Sequence, residues 1–484
     1  MMGSSPKKRV SRLRLGALLF WNSFYRKFFA EVCKVRKDFF ERHKILLIVM
    51  VTSFITPFSS SALTLSLPDI GRMYGAGPNL LGWVVESFVL SSLVFLLPIG
   101  RLADRYGKRV IFLFGNAAVG ITSFFCAFST SIEMLLFARI LQGIGAAMLY
   151  VTGVSILSVC YRGKTRGMAM GWMTGMVYAG LAMGPVLGGF LNDTLGWQSI
   201  FYLVGVMSIC VFLTAKALMK EPWLGKAGAK RDYLGAILYG IAALLFVYGL
   251  SELVQDPYAP LCIAAGIVFG ILFIRREWCA KEPMLSVRIF TVNKTFTCSS
   301  LASMMNYAST FAISFLLSLY LQSVMGLRAG EAGVLLLVQA IVMSVFSPMT
   351  GKLSDKYPAS LLSSFGMALT TIGLFFLAYE THNSEIYGLI PCLIVIGLGF
   401  AFFSAPNNNT IMSSVPEEYY SMASSVLATV RLIGQVMSIA LVTLAVTIPW
   451  TGLGEMDILR RNITIALAFF GIVCGIGILP SRIR

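Results

Sequence analysis

The sequence has little charge and little histidine. Charged residues make up 13% of its 484 residues, about half the share typical of soluble proteins, and histidine occurs only twice, as His43 and His382. A water-facing surface needs far more charge, so the composition excludes an ordinary soluble protein. Neither histidine lies in an apolar stretch, and no nucleophile is paired with a base, so no enzyme is predicted.

The sequence also lacks the motifs of several other protein classes. Its nine cysteines are scattered without C-x-x-C spacing, so no disulfide framework or zinc site is expected. Residues 163–165 end like a phosphate-binding loop, but Ser158 occupies the position where that motif requires glycine. ATP-driven pumping is therefore not supported, and we expect no cofactor and no metal.

The N-terminal segment 1–44 has no compact apolar core followed by a small-residue cleavage site, so it is not predicted to be a signal peptide. It carries twelve Lys and Arg residues. The mixture of aromatic and basic residues in 15–29 is typical of an interfacial helix. A disordered basic tail is an equally compatible interpretation.

Long apolar stretches are what the chain has in abundance. A helix needs about 20 apolar residues to cross roughly 30 Å of hydrocarbon. Fourteen stretches meet this requirement, at 45–68, 80–100, 110–128, 133–157, 167–191, 197–218, 233–252, 258–274, 295–321, 330–350, 358–379, 386–407, 421–447 and 463–480. We therefore predict an all-α integral membrane protein with about fourteen transmembrane helices.

Basic residues are distributed very unevenly among the connecting loops. If the N-terminus is cytoplasmic, 33 of the Lys and Arg residues fall on that side and only four on the other. Positively charged loops stay in the cytoplasm, so both termini are predicted to be cytoplasmic, in a multi-pass protein of the cell membrane. The net charge of +17 then reflects topology, and no nucleic-acid partner is expected.

The loop after the second stretch combines glycines with charges, at Gly100, Arg101, Asp104, Arg105, Gly107, Lys108 and Arg109. A positively charged cytoplasmic loop explains the bases but not the spacing of the glycines and the aspartate. We interpret the motif as a salt-bridged cytoplasmic gate. A weaker copy follows the tenth stretch and indicates an internal repeat, at Gly351, Lys352, Asp355 and Lys356.

Two further motifs lie inside apolar stretches. The fourth stretch contains Arg139, Gln142, Gly143 and Gly145, and the fifth contains Gly180, Gly184, Pro185, Gly188 and Gly189. Together with the loop motif they resemble the signatures of the major facilitator superfamily, over roughly residues 45–480. With fourteen spans, the chain resembles the superfamily's drug:proton antiporter group that has the same number of spans.

The resemblance implies a carrier that works by alternating access. It implies a six-helix bundle over 45–218, a central loop with two extra helices over 219–294, and a second six-helix bundle over 295–484. In the fifth stretch two sets of glycines recur four apart, Gly171 with Gly175 and Gly180 with Gly184 and Gly188. Each set would let a neighbouring helix pack closely, which ordinary small-residue packing also explains. The resemblance implies that this helix lies between the halves and favours export.

Glu86 and Arg139 are ionisable residues inside apolar stretches, where such groups are costly and commonly functional. Each lies six residues from the same end of its span, roughly 9 Å deep, so the two side chains can meet. A structural ion pair is one interpretation. The other makes Glu86 the proton carrier and lets Arg139 organise the proton path.

The sequence departs from the antiporter pattern at the first span. Related antiporters commonly carry an acid there, whereas this chain has Ser59, and Glu86 stands in the second span where the group usually has a small polar residue. The carboxylate has either moved to the neighbouring helix, or proton coupling is altered or absent. We place Ser59, Asn408 and Arg431 in a candidate substrate cavity, although Asn408 also fits a polar helix end.

The most complete interpretation is a secondary transporter that exports small amphipathic compounds or drugs in exchange for protons. Its expected partners are a small-molecule substrate, protons and membrane lipids, without ATP, and it is expected to act as a monomer. One alternative keeps the fold and changes the cargo to an anionic or neutral metabolite. A second alternative is a non-transporting membrane receptor, although no loop is long enough for a soluble domain.

Overall fold

A computed structural model describes residues 42–225, 232–280, 282–383, 388–450 and 454–483. Within these residues, fourteen helices are long and apolar enough to cross a membrane. In chain order they are α1 Arg42–Tyr74, α2 Pro78–Tyr106, α3 Lys108–Ala127, α4 Ile132–Cys160, α5 Arg166–Leu195, α6 Gln198–Leu218, α7 Tyr233–Ser251, α8 Ala259–Cys279, α9 Lys294–Val324, α10 Ala329–Ser354, α11 Ala359–Asn383, α12 Leu389–Ser413, α13 Tyr420–Val446 and α14 Glu455–Ile483. No strand occurs in the described ranges, and the prediction of an all-α membrane protein with fourteen spans is confirmed.

Most of the helices are longer than the apolar stretches that predicted them. The last helix begins at Glu455, eight residues before the predicted start at 463, and the first continues to Tyr74 rather than ending at 68. An apolar stretch marks only the hydrocarbon part of a helix, and polar turns extend beyond it into the interface. Residues 15–29, the candidate interfacial helix, lie outside the described residues.

The ninth helix is interrupted within the membrane. A turn at Phe311 and Ala312 breaks it, and its last turn, Tyr320–Val324, is a π-helix. The backbone N–H of Ala312 donates to the Ser438 hydroxyl of α13 at 3.1 Å. A neighbouring helix therefore supplies a hydrogen-bond acceptor where the break disturbs the helix's own bonding.

The helices form two six-helix bundles with two extra helices between them in the chain. Within α1–α6, α3 and α4 pack closely, as do α2 and α4; within α9–α14, α11 packs on both α12 and α14. The extra helices α7 and α8 pack on each other, because Gly249 lies against the backbone of α8 and Gly266 against the backbone of α7. In addition, α7 contacts α2 and α13.

The bundles meet most extensively along two helix pairs, α5 with α10 and α2 with α13, and α4 with α13 and α5 with α12 add smaller contacts. We call one end of the molecule the basic face; it is formed by the loops that follow α2, α4, α6, α8, α10 and α12. At this face Arg162 forms an ion pair with Glu417 at 2.7 Å, and Arg166 donates to the Tyr420 hydroxyl at 2.7 Å. Both contacts join the first bundle to the second, so the bundles touch at the basic face.

Candidate functional site

A cavity of about 50 Å³ lies between the two bundles. Helices α1, α4 and α5 contribute from the first bundle, and α9, α12 and α13 from the second. The polar side chains that line it are Thr52, Ser53, Thr56, Tyr150, Thr174, Tyr178, Tyr307, Ser404, Asn408, Ser424 and Arg431. The volume holds only one or two water molecules, so a larger ligand requires the bundles to separate.

Three aromatic rings hold the bundles together at this cavity. Tyr178 of α5 and Tyr307 of α9 each pack edge-on against Phe400 of α12, with ring centroids 5.3 Å apart in both pairs. The Tyr178 hydroxyl also donates to the Ser404 hydroxyl at 3.3 Å. The contact therefore joins one helix of the first bundle to two helices of the second.

The structure brings two of the three predicted cavity residues to this place. Asn408 and Arg431 line the cavity, whereas Ser59 does not. The guanidinium of Arg431 lies over the ring of Tyr150, 4.9 Å from its centroid, and its Nε atom is buried without a hydrogen-bond partner. Ser59 is buried in α1, and its hydroxyl has no partner either.

Arg139 is completely buried inside the first bundle. Its Nε donates to the carbonyl of Val84 at 3.0 Å, and another guanidinium nitrogen donates to Gln142 at 2.5 Å. The guanidinium also lies 4.4 Å from the centroid of the Phe88 ring. A backbone carbonyl, an amide and an aromatic face thus stabilise the charge in place of a carboxylate.

Glu86 does not contact Arg139, and no ion pair joins these two residues in the described part of the chain. Instead Glu86 is half-buried and hydrogen-bonded to Ser251, the last residue of α7, with Glu252 as a like-charged neighbour. The Trp83 indole donates to Glu252 at 3.1 Å. The prediction that Glu86 and Arg139 meet is wrong. The Glu86 side chain extends from α2 toward α7, whereas the Arg139 side chain extends from α4 to the Val84 carbonyl and the Phe88 ring of α2.

The predicted gate after α2 is only partly a cluster of ion pairs. Asp104 is buried beside Ser421 of α13, and its carboxylate lies 3.7 Å from the buried Lys108 ammonium. Lys108 also donates to the carbonyl of Trp223 at 3.2 Å. Arg109 donates to the carbonyl of Lys216 at 3.2 Å.

The two glycines of this loop motif allow close packing, and Arg105 is exposed. Gly107 has a φ of 97°, which favours glycine, and a Cβ there would lie 2.7 Å from the carbonyl oxygen of Pro222. Gly100 packs directly against Ser425 of α13. Arg105 is exposed, so Asp104 and Gly100 are the members of the motif that face the second bundle.

The weaker copy of the motif forms a direct contact between the bundles. The two carboxylate oxygens of Asp355 accept hydrogen bonds from the backbone N–H groups of Gly167 and Met168, at 2.7 and 2.9 Å. These amides are in the first turn of α5, so Asp355 caps a helix of the opposite bundle. Burial raises the pKa of the Asp355 carboxyl, while the two amide hydrogen bonds and Arg166 oppose that shift.

Comparisons with known proteins decide the family. The sequence profile of the Major Facilitator Superfamily matches residues 49–439. The chain belongs to the major facilitator superfamily. It is therefore a multi-pass membrane transporter of a family of carriers that are not enzymes.

Its relatives within the superfamily include carriers of different cargo. The chain is 31% identical to the riboflavin transporter RibZ of Clostridioides difficile (strain 630), over 80% of this chain and 84% of that one. It is 29% identical to the multidrug resistance protein Stp of Mycobacterium tuberculosis (strain CDC 1551 / Oshkosh), over 78% and 71% of the two chains. The solved structure of the proton:xylose symporter XylE bound to 6-bromo-6-deoxy-D-glucose has a similar fold, with a TM-score of 0.67 at 11% identity, covering 90% of this chain and 94% of that one.

The glycines of α5 in this major facilitator carrier fall into two sets with different partners. Gly180, Gly184 and Gly188 pack against Phe54, Ser61 and Ala62 of α1, within the first bundle. The contact with the second bundle is made instead by glycines near the start of the helix, Gly167, Gly171 and Gly175, which pack against α10. The packing agrees with a position of α5 between the halves. Of the two glycine sets that recur four apart, Gly171 and Gly175 make that contact, whereas Gly180, Gly184 and Gly188 pack within the first bundle.

The remaining motif residues of the carrier support the first bundle. Gly143 packs against the backbone of α2 at Phe88, and Gly145 against α3 at Val119. Gln142 donates to the Ser123 hydroxyl at 2.7 Å. Pro185 lies within α5, and a Cβ on Gly189 would meet only Leu65, at an ordinary contact distance of 3.6 Å.

Sequence reasoning missed the aromatic and hydroxyl residues of the cavity. Tyr150, Tyr178 and Tyr307 stand in apolar stretches that also hold many packing aromatics, so nothing in the sequence separates them from lipid-facing rings. It also missed Tyr239 of α7. The Tyr239 hydroxyl donates to the carbonyl of Leu93 in α2 at 2.8 Å and lies 3.4 Å from the Thr429 hydroxyl of α13.

Proposed function

We propose that this carrier exports small amphipathic compounds in exchange for protons, by alternating access to the cavity between its bundles. The observation that supports the proposal best is the cavity itself, because six helices from both bundles meet at it. A binding site at such an interface opens to one side or the other as the bundles rock against each other. Relatives named as multidrug resistance proteins support the choice of cargo.

The contacts between the bundles support a conformation that is closed at the basic face. Arg162 with Glu417 and Asp355 with the first turn of α5 join the two bundles there. These contacts have to break before a compound can enter from that side. With the basic face in the cytoplasm, as the loop charges predict, the closed state prevents the exported compound from returning.

Glu86 is the residue that we propose to carry the proton. It is half-buried in α2, it accepts a hydrogen bond from Ser251, and Glu252 lies near enough to repel its charge. Two neighbouring carboxylates repel each other, and a proton carried by Glu86 would remove that repulsion. Arg139 does not contact Glu86, and its proposed part is to hold α2 in place through the Val84 carbonyl.

The test uses purified protein in liposomes with an imposed pH gradient. We expect a fluorescent amphipathic dye to accumulate against its own gradient when protons can flow the other way, and Glu86→Gln to abolish this uphill step. Counterflow of the dye without a pH gradient should survive, because the neutral side chain removes only the proton site. Glu133→Gln is the matched control, since Glu133 is exposed in the first turn of α4.

The proposal fails if Glu86→Gln accumulates the dye as well as the unmodified protein does. It also fails if the dye never moves against its gradient in the unmodified protein.

A further inference from the structure

The cavity between the bundles has one charged lining residue, Arg431. No acid lines it in the described part of the chain. The carboxylates described above have other partners: Asp355 binds the amides of α5, Asp104 lies beside Lys108, and Glu86 is hydrogen-bonded to Ser251. A ligand in the cavity therefore meets a single positive charge that is not balanced by a neighbouring ion-pair partner.

Two polar atoms at this cavity have no hydrogen-bond partner in the structure. They are Oγ1 of Thr174, whose residue is only 3% exposed, and Nε of Arg431. Nε of arginine can only donate, and the threonine hydroxyl can donate as well as accept. Buried donors without acceptors are costly, so a bound molecule with acceptor oxygens would satisfy them.

The remaining surface of the cavity is suited to a flat ring. Arg431 already lies over the ring of Tyr150, and Tyr178 and Tyr307 both pack edge-on against Phe400. When the bundles part, Tyr178 of the first bundle separates from Phe400 of the second, and aromatic surface becomes exposed. Aromatic faces stack on conjugated rings, and the guanidinium plane does the same.

We propose that the cargo of this carrier is a flat organic anion whose acidic oxygens bind Arg431 and Thr174 while its ring packs among the tyrosines. This inference rests on the proposed export function and names the class of compound exported. An organic cation of the same shape would be repelled by Arg431 and would find no carboxylate in the cavity. A guanidinium binds a carboxylate through two parallel hydrogen bonds, so the contact also fixes the orientation of the anion.

Two dyes with the same xanthene ring but opposite charge provide the test. Fluorescein is an anion at neutral pH, and rhodamine 123, whose carboxyl group is methylated, is a cation. Binding of each to the purified full-length protein in detergent is measured by fluorescence anisotropy, which does not depend on transport or on a pH gradient. We expect fluorescein to bind about tenfold more tightly than rhodamine 123.

Substitutions then identify the residues that distinguish the dyes. Arg431→Gln should weaken fluorescein binding about tenfold or more and leave rhodamine 123 binding unchanged or improved. The fluorescein affinity of Arg431→Lys should lie between those of the unmodified protein and Arg431→Gln, because the positive charge remains but the planar guanidinium group is lost. Thr174→Val should weaken fluorescein binding severalfold. Arg461→Gln is the matched control, since Arg461 also lies over an aromatic ring, that of Trp450 at 4.0 Å, but away from the cavity.

The outcomes separate this inference from the export function. Tighter binding of rhodamine 123, no binding of fluorescein, or unchanged fluorescein binding in both Arg431→Lys and Thr174→Val would each overturn the choice of an anion. If Arg431→Gln does not fold, those two milder variants decide. Fluorescein that binds as expected but is never driven across liposomes by a pH gradient would support the cargo class and contradict proton-coupled export.

Discussion

The two helix pairs that join the bundles are built differently. Along α5 and α10 the backbones touch: a Cβ on Gly171 would lie 2.5 Å from the carbonyl oxygen of Ser347, and one on Gly175 would lie 2.9 Å from that of Ser344. Along α2 and α13 the contact is made largely by apolar side chains, including Leu93, Leu96, Ala428 and Leu432. This second pair is tight at Gly100, but there a Cβ would meet mainly the Ser425 side chain.

A second difference is that α7 covers only the α2 and α13 pair. Val247 of α7 packs in the same apolar cluster, and Tyr239 reaches both helices with its hydroxyl group. No extra helix has a comparable hydrogen bond to α5 and α10 among the described residues. Backbone packing limits one interface to a narrow range of positions, whereas side chains and a third helix let the other adjust as the bundles move.

The largest effect is expected from adding a methyl group to the tight interface. Gly171→Ala places a Cβ against the backbone of α10, and overpacking of this kind costs about 1–3 kcal/mol. We expect the population closed at the basic face to fall by about tenfold. The measurement is the distance between spin labels at Thr165 and Lys352, both exposed at that face, in a protein without its native cysteines.

The control for this experiment lies on the same helix. Gly189→Ala should leave the distance distribution unchanged, because its Cβ would meet Leu65 at 3.6 Å. Equal distributions for Gly171→Ala and the unmodified protein would show that α5 and α10 do not depend on backbone contact.

An intermediate effect is expected at the end of the same interface. Asp355→Ala removes the acceptor from two amides of α5, and the loss of such a cap costs about 1 kcal/mol. The closed population should fall roughly fivefold by the same spin-label measurement. Asp355→Asn keeps one acceptor oxygen, so its closed population should lie between those of Asp355→Ala and the unmodified protein.

Asp193→Ala is the comparison for this prediction, because Asp193 is an exposed acid near the other end of α5. If Asp193→Ala changes the spin-label distances as much as Asp355→Ala does, then the loss of a negative charge, rather than the loss of the helix cap, causes the change.

The smallest effect is expected at the pair that α7 covers. Tyr239→Phe removes one hydroxyl that bonds to Leu93, worth about 0.5–1.5 kcal/mol. The distance between labels at Arg105 and Glu418 should broaden modestly, while that between Thr165 and Lys352 stays the same. Tyr258→Phe, at a side chain that is 71% exposed, is the control, and a larger change there than in Tyr239→Phe would contradict the role of α7.

The number and type of the helices could be predicted because these features are local. An apolar stretch and a basic loop are visible in a short window of sequence, and the structure has the fourteen membrane-spanning helices that these windows predicted. The position of Glu86 along α2 is local in the same way, but the helix that its side chain faces is not. Glu86 is two residues from Val84, roughly 200° around α2, so its side chain faces α7 while the Val84 carbonyl accepts from Arg139.

The partners of each helix could not be predicted in the same way. The four-residue repeat of Gly180, Gly184 and Gly188 correctly indicated a closely packed neighbour, but it holds no information on which helix that is, and the neighbour is α1. Likewise Arg431 was expected to face inward, and the ring beneath it belongs to Tyr150, far away in the sequence. These contacts depend on the arrangement of whole helices.

The burial of Arg139 also bears on how the protein is made. An arginine at the centre of a lone helix raises the cost of entering the bilayer by about 2.5–3.5 kcal/mol. The Val84 carbonyl and the Phe88 ring are on α2, and Ser123, which Gln142 contacts, is on α3. Both helices are synthesised before α4. The order of synthesis therefore provides the groups that accept this charge before the charged helix leaves the ribosome.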